Sequence, residues 1–288
     1  MTDMTAAAAW QPSDLELARR GTRRRQSARS VLIALVSSIV FVGLIAIGLA
    51  SSPGWERVKE SFFNWDIAVA SFPSILAGLW VNVQVLIVAA IAVAIVGTLL
   101  AVIRSLRGPV FFPLRALATV YTDLFRGMPL LIVLYVVGFG IPALEIFGRV
   151  PVVLWGTIAI VLSYSAYVAE VLRAGMEAVH PSQRIAARSL GLSHAKTLRI
   201  VVIPQGVRKV VPALMNDFVS MQKDVGLISV LGAVDAVRAA QIEVAQTYNF
   251  TPYIVAGLLF VALSLPMIRL TDAVSARLAR REQMGGVV

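Results

Sequence analysis

Six apolar runs, each close to 20 residues or longer, divide the sequence at about 31–50, 73–103, 114–140, 151–176, 205–224 and 251–271. An α-helix needs roughly 20 such residues to cross a hydrocarbon core of about 30 Å, so each run is predicted to be one transmembrane helix. The second and third exceed a perpendicular crossing and are expected to tilt or protrude. The fifth is the most polar of the six. Between the fourth and fifth lies a different pattern, Pro181 to Pro204, PSQRIAARSLGLSHAKTLRIVVIP. Its punctuation predicts two short helices. Pro181-Ser182 starts one and Gly191 ends it; Ser193 starts another and Pro204 stops it. A unit this short cannot bury a core of its own, so its exposed face is expected to dock against something else.

Composition agrees with a membrane protein. The chain is 58% hydrophobic and 15% charged, against about a quarter charged in soluble domains. An even number of spans puts both termini on one side. The cations gather there: Arg19, Arg20, Arg23, Arg24, Arg25 and Arg29; Arg104, Arg107, Arg115 and Arg126; seven from Arg173 to Lys209; and Arg269, Arg277, Arg280 and Arg281. Arg57, Lys59, Arg149, Lys223 and Arg238 fall elsewhere. Both termini are therefore expected in the cytoplasm. A net charge of +10 is read as a match to anionic lipid headgroups rather than to nucleic acid, because the arginines flank apolar spans. The first run, followed by Gly48-Leu49-Ala50-Ser51, is longer than the 7–15 residues of a cleaved signal core and is expected to be a retained anchor. Residues 1–30, rich in Ala, Arg and Ser, are expected to form a disordered basic cytoplasmic tail. Residues 51–72 are expected to be an external loop and 276–288 a second cytoplasmic tail. With no cysteine, disulfides, thiolate metal sites and cysteine nucleophiles are excluded. His180 and His194 form no metal-ligand cluster with carboxylates, and phosphate-loop, GxSxG and HExxH motifs are absent. No catalytic residue, metal site or bound cofactor is expected on this chain.

Ala186-Ala187, then three residues, Gly191, nine residues and Val201-Val202-Ile203-Pro204 resemble the EAA loop of permeases of ATP-binding-cassette importers. FRGMPLL (Phe125 to Leu131) is similar to the FRGTPLL of the polar amino acid permeases, the histidine/glutamine-type family. AYVAEVLRAGMEAV (Ala166 to Val179) is similar to their AYxAEIxRGGIxSV segment, and AARSLGLS, VVIPQGVR and VPALMNDFVSMQKDVGLISVLG continue in register. The resemblance covers roughly residues 73–275. It implies an all-α, type I importer core of five spans there, with 181–204 as the coupling loop and 31–50 as an extra span. It further implies an ATPase dimer docked on Arg184, Ala186, Ala187, Arg188, Gly191 and Pro204, with ATP and Mg²⁺ bound by that partner. A second permease subunit, identical or homologous, and an extracytoplasmic amino-acid-binding protein complete the expected assembly. Its expected place is the bacterial cytoplasmic membrane. Its expected task is import of a polar amino acid (glutamate, glutamine or a basic one) by alternating access. Two departures stand out. The glutamate that opens the family's loop is Ile185 here, and the KDTSL-like element reads Lys223-Asp224-Val225-Gly226-Leu227.

The residues themselves give a reason for such a loop. Arg184 and Arg188, four apart, are expected on one helix face as cations for a partner, and alanines at 186 and 187 allow close approach. The residues alone leave open the alternative of a basic helix lying on anionic lipid; the resemblance in spacing around Gly191 is what favours docking. A second constellation lies within the spans. Asn216 and Lys223 are seven apart, as are Asp217 and Asp224, which predicts two adjacent stripes with Ser220 close by. Ser163, Tyr167 and Glu170 share a face, and Asp123 and Arg126 are three apart. Ionisable groups in lipid cost at least about 2.5–3.5 kcal/mol each, so these are expected to face protein or water. Glu170, Asp217 and Asp224 suit an ammonium group; Arg126, Asn216 and Lys223 suit a carboxylate. Ordinary ion pairing at the span ends is the competing reading for Lys223–Asp224, Asp123–Arg126 and Glu170–Arg173. At the level of function, a proton-coupled secondary carrier with buried acids is the alternative, although it has no use for a docking loop and no inverted repeat is evident.

Overall fold

The computed structural model describes residues 13–106 and 108–285. The chain divides into two units, Met1–Lys59 and Glu60–Val288.

The first unit is mostly one helix, α1 (Asp14–Ala50). Ser13 caps it, its side chain accepting from the Glu16 N–H at 3.4 Å. Residues 29–50 of α1 are long and apolar enough to cross a membrane. The expectation of an irregular tail fails for residues 14–30, which are helical. Residues 1–12 of that tail lie outside the described residues. Nucleation is the costly step of helix formation and extension is not, so a run of Leu, Ala, Arg and Gln next to an apolar helix simply prolongs it. The expected external loop is also largely helical: α2 (Trp55–Phe62) occupies much of it, and the next helix begins at Trp65.

In the second unit, α3 (Trp65–Ser105), α6 (Val152–Glu177) and α9 (Ile203–Asp224) form the centre. Between them run α4 (Phe112–Gly127), α5 (Leu130–Tyr135), α7 (Pro181–Ser189) and α8 (His194–Thr197). The chain then continues through α10 (Ala236–Thr247) and α11 (Thr251–Gly285). The main core joins Leu86 and Ala89 of α3, Leu134 of α5, Ile160 of α6 and Ile228. A smaller core packs Ile75 and Leu79 of α3 on Ala236, Ala240 and Ala256. Among the described residues, four helices are long and apolar enough to span a membrane, or six if two bent pairs each count as one. The spans therefore fall where the apolar runs predict them.

Two spans are not continuous. The third turns by 109° between α4 and α5, because Pro129 has no N–H to return and pushes Met128 into an extended conformation (φ −97°, ψ 135°). The fifth runs from His194 to Leu231, its last turns a 3₁₀-helix, and after a bend of 50° continues as α10. A buried polar knot fixes that bend. Asn82 Nδ2 donates to Asp235 Oδ2 at 3.0 Å and to the Val225 carbonyl at 3.1 Å, and Asn82 Oδ1 accepts from the Ala236 N–H at 3.1 Å. Asp235 caps α10 through the Arg238 N–H at 2.8 Å.

Candidate functional site

The polar stretch between α6 and α9 folds as a braced helix–turn–helix. The His180 side chain caps α7 by accepting from the Ser182 N–H. Gly191 ends the turn with φ +79°. The Gly191 N–H reaches Arg188 O at 3.0 Å and the Leu192 N–H reaches Ala187 O at 3.2 Å. This pair of bonds is a Schellman cap, which needs a left-handed residue and favours glycine. Ser193 then caps α8 by accepting from the Lys196 N–H at 3.3 Å. Pro204 does not stop the second helix as expected. The backbone widens into a π turn over Leu198–Val202, and Pro204 enters the first turn of α9, where its missing N–H is tolerated.

The loop is rooted in the bundle by three contacts. Arg184 Nη2 donates to Met176 O at 2.5 Å and Lys209 Nζ donates to Ala178 O at 2.7 Å, so both cations occupy the open carbonyls at the end of α6. At Gly175 and Gly206 the backbones of α6 and α9 nearly touch: a Cβ on Gly206 would lie 2.9 Å from Gly175 O. Arg184 is thus turned back on α6 and is not a free cation beside Arg188, as its spacing predicts. Arg188 is exposed and donates to Leu192 O at 3.1 Å. Ala187 is buried and Ala186 exposed. Two large apolar side chains of α7 and its turn also stand outward beside Arg188, Ile185 65% and Leu190 83% exposed. Ile185 stands out in the sequence only as a departure from the family's glutamate and Leu190 not at all; an apolar side chain in a cationic stretch is the available signal.

The intramembrane polar residues separate into three groups. Asn216, Ser220 and Lys223 form an exposed stripe on α9. Asp217 and Asp224 occupy the neighbouring stripe and turn toward α6. There Tyr164 Oη donates to Asp224 Oδ2 at 2.7 Å. A cavity of about 320 Å³ opens between α3, α6 and α9, lined by Tyr164, Asp217 and apolar side chains such as Val93, Val168 and Phe218. Asp217 Oδ2 is shielded from solvent and has no hydrogen-bond partner among the described residues. Tyr164 escaped the sequence reading because it is one position off the Ser163–Tyr167–Glu170 face.

Glu170 belongs to the third group. Arg104 Nη1 lies 2.8 Å and Arg173 Nη2 2.6 Å from its carboxylate, and Arg126 Nη1 lies 3.7 Å away. Arg173 also pairs with Glu177. Tyr167 Oη donates to Arg126 O at 3.3 Å. This cluster ties α3, α4 and α6 together, and among the described ion pairs Arg126 binds Glu170 rather than Asp123. Of the two sequence readings of Glu170, this arrangement favours the ion pair. Ser163 is buried, its hydroxyl unpartnered among the described residues, and does not share the exposure of Tyr167.

The family described as binding-protein-dependent transport system inner membrane components matches residues 108–280. The chain belongs to that family. It is 32% identical over 218 residues to the arginine transport system permease protein ArtQ of Bacillus subtilis (strain 168), covering 75% of this chain and 97% of that one. It is 36% identical over 191 residues to the putative glutamine transport system permease protein GlnP of Rickettsia conorii (strain ATCC VR-613 / Malish 7), covering 66% and 85% respectively. Among solved structures it is similar to an amino acid ABC transporter with histidines, at 33% identity and a TM-score of 0.67, over 73% of this chain and 96% of that one. This family member is thus an integral membrane permease.

Proposed function

We propose that this permease carries a polar amino acid into the bacterial cytoplasm by alternating access, driven by ATP hydrolysis in a partner ATPase. One observation carries the reading: the two arms of the braced loop, α6 and α9, are also two walls of the Asp217 cavity. A displacement of the loop cannot be absorbed at its root, where Gly175 and Gly206 are in backbone contact, so it moves the cavity walls. An ATPase dimer seats on Ile185, Arg188 and Leu190 at the cytoplasmic face, with both termini of the chain on that side. ATP and Mg²⁺ are bound by the ATPase, and this chain contributes no cofactor.

The cargo follows from the chemistry of the cavity. A shielded Asp217 oxygen without a hydrogen-bond partner among the described residues suits an ammonium group, and Tyr164, held by Asp224, adds a second polar side chain to the wall. A basic amino acid fits best and glutamine second, which accords with the relatives named for arginine and glutamine. The stripe Asn216–Ser220–Lys223 is too polar for lipid and faces a second permease subunit, across the path from an extracytoplasmic binding protein. The test is uptake in vesicles that contain this chain, its ATPase and the binding protein, with ion gradients collapsed by ionophores. ATP-dependent arginine or glutamine uptake is the expected result. Uptake that instead follows a proton gradient and ignores ATP would make the chain a secondary carrier.

A further inference from the structure

One cluster of cations lies apart from the Asp217 cavity. At the loop end of the bundle, α3, α4, α6 and α7 enclose a pocket of about 740 Å³, lined by Arg104, Arg115, Arg173 and Arg184, with Glu177 also in its wall. Arg104 and Arg173 are balanced by Glu170 and Glu177. Arg115 and Arg184 have only neutral partners among the described contacts: Arg115 Nη1 donates to Leu106 O at 3.0 Å and Arg184 Nη2 to Met176 O at 2.5 Å. Two guanidinium charges therefore face one pocket with no carboxylate paired to either.

We propose that this pocket binds the phosphate group of an anionic membrane lipid. A guanidinium keeps further N–H donors in a planar fork after giving one to a carbonyl, and phosphate oxygens match that fork. The remaining wall selects the source of the phosphate. Phe112 and Val120 line the pocket and are 63% and 64% exposed on the outward face of α4, a helix apolar enough to form part of a span. Free phosphate gains nothing from that wall, whereas the glycerol and upper acyl chain of a lipid cover it. Arg115 lies in the first turns of α4, near the end of the span, at the depth expected of headgroups. An acidic side chain of the ATPase could meet the same charges, but would leave Phe112 and Val120 uncovered.

The full chain is purified, exchanged into nanodiscs of phosphatidylcholine with or without phosphatidylglycerol, then stripped in detergent, and retained lipid is counted by native mass spectrometry. Phosphatidylglycerol is expected to be retained over phosphatidylcholine by at least about fivefold. Arg115→Gln should abolish most of that preference, Arg115→Lys should keep it, and Arg269→Gln on exposed α11 should leave it unchanged. Millimolar inorganic phosphate should not displace the lipid. Hydrogen exchange of the unmodified chain, which needs no variant to fold, should slow around 108–120 and 181–198 only in the phosphatidylglycerol discs. Equal retention of the two lipids, displacement by inorganic phosphate, loss of the lipid when the ATPase is added, or identical exchange in both bilayers would each overturn the assignment.

Discussion

Asp217 shows how much a single position depends on its neighbours. Its spacing from Asp224 places both on one stripe, but only the packed structure gives one of them a tyrosine and leaves a shielded oxygen of the other without a hydrogen-bond partner among the described residues. Asp217→Asn keeps the shape and removes the charge, so it tests attraction to an ammonium group separately from packing. We expect apparent substrate affinity to fall roughly ten- to hundredfold, the equivalent of about 1.5–3 kcal/mol for a charge-assisted bond. Basal ATPase activity of the assembled transporter should persist, and a variant with normal uptake would remove Asp217 from the path. Glu170→Gln should behave differently. It leaves three arginines facing one another without their shared carboxylate, so thermal stability should drop, by about 3 kcal/mol if the cluster behaves as a buried pair does. A stable but substrate-blind Glu170→Gln protein would return that residue to the transport path. The sequence leaves these two roles unresolved, because the deciding partner, Arg104, comes from a helix 66 residues away.

At the scale of elements, a short-range pattern was legible and a change of backbone geometry was not. Gly191 and Ser193 mark the loop's turn and second start because local backbone bonds set both. Pro204 misleads for a reason specific to this helix: the π turn before it makes room for the ring, and no residue type announces a π turn. Likewise Pro129 sits inside an apolar run that reads as one span, and the break appears only in the backbone. The short helix α10 was missed because its anchor, the Asn82–Asp235 knot, joins residues far apart in the chain. Two variants probe the loop as a lever. Gly191→Val forces a branched side chain into a left-handed conformation that costs an ordinary residue about 1–2 kcal/mol. The protein should insert normally, yet ATPase co-purification and transport should both fail; normal uptake would show that the turn carries no force. Gly206→Val drives a side chain into the Gly175 carbonyl, an overpacking worth about 1–3 kcal/mol. Its expected signature is ATP hydrolysis that continues without uptake, measured side by side in proteoliposomes.

Across the whole molecule, the buried core clusters lie within the unit that begins at Glu60. The backbone at Glu60 and Ser61 is already engaged, since Asn249 Nδ2 donates to Glu60 O and the Phe250 N–H to Ser61 O, each at 2.7 Å. Deleting residues 1–55 should therefore spare the transport body. Insertion yield should fall, but whatever inserts should retain substrate-stimulated ATPase activity; well-inserted, inactive material would make α1 part of the mechanism. The length of α1 itself carries a further consequence. Its 37 residues extend about 55 Å at 1.5 Å each, well beyond a hydrocarbon core of about 30 Å. Arg19 therefore stands about 15 Å farther along the helix axis than Arg29, while ionic screening at physiological salt acts over about 8 Å. The arginines of this helix are not one charge as seen from the bilayer. Orientation is expected to rest on those nearest the apolar stretch, such as Arg29, while the exposed Arg19 and Arg23 stand farther along the axis. Arg19→Gln with Arg23→Gln should leave topology untouched, whereas Arg29→Gln should weaken it. Single cysteines placed in this cysteine-free chain can report both.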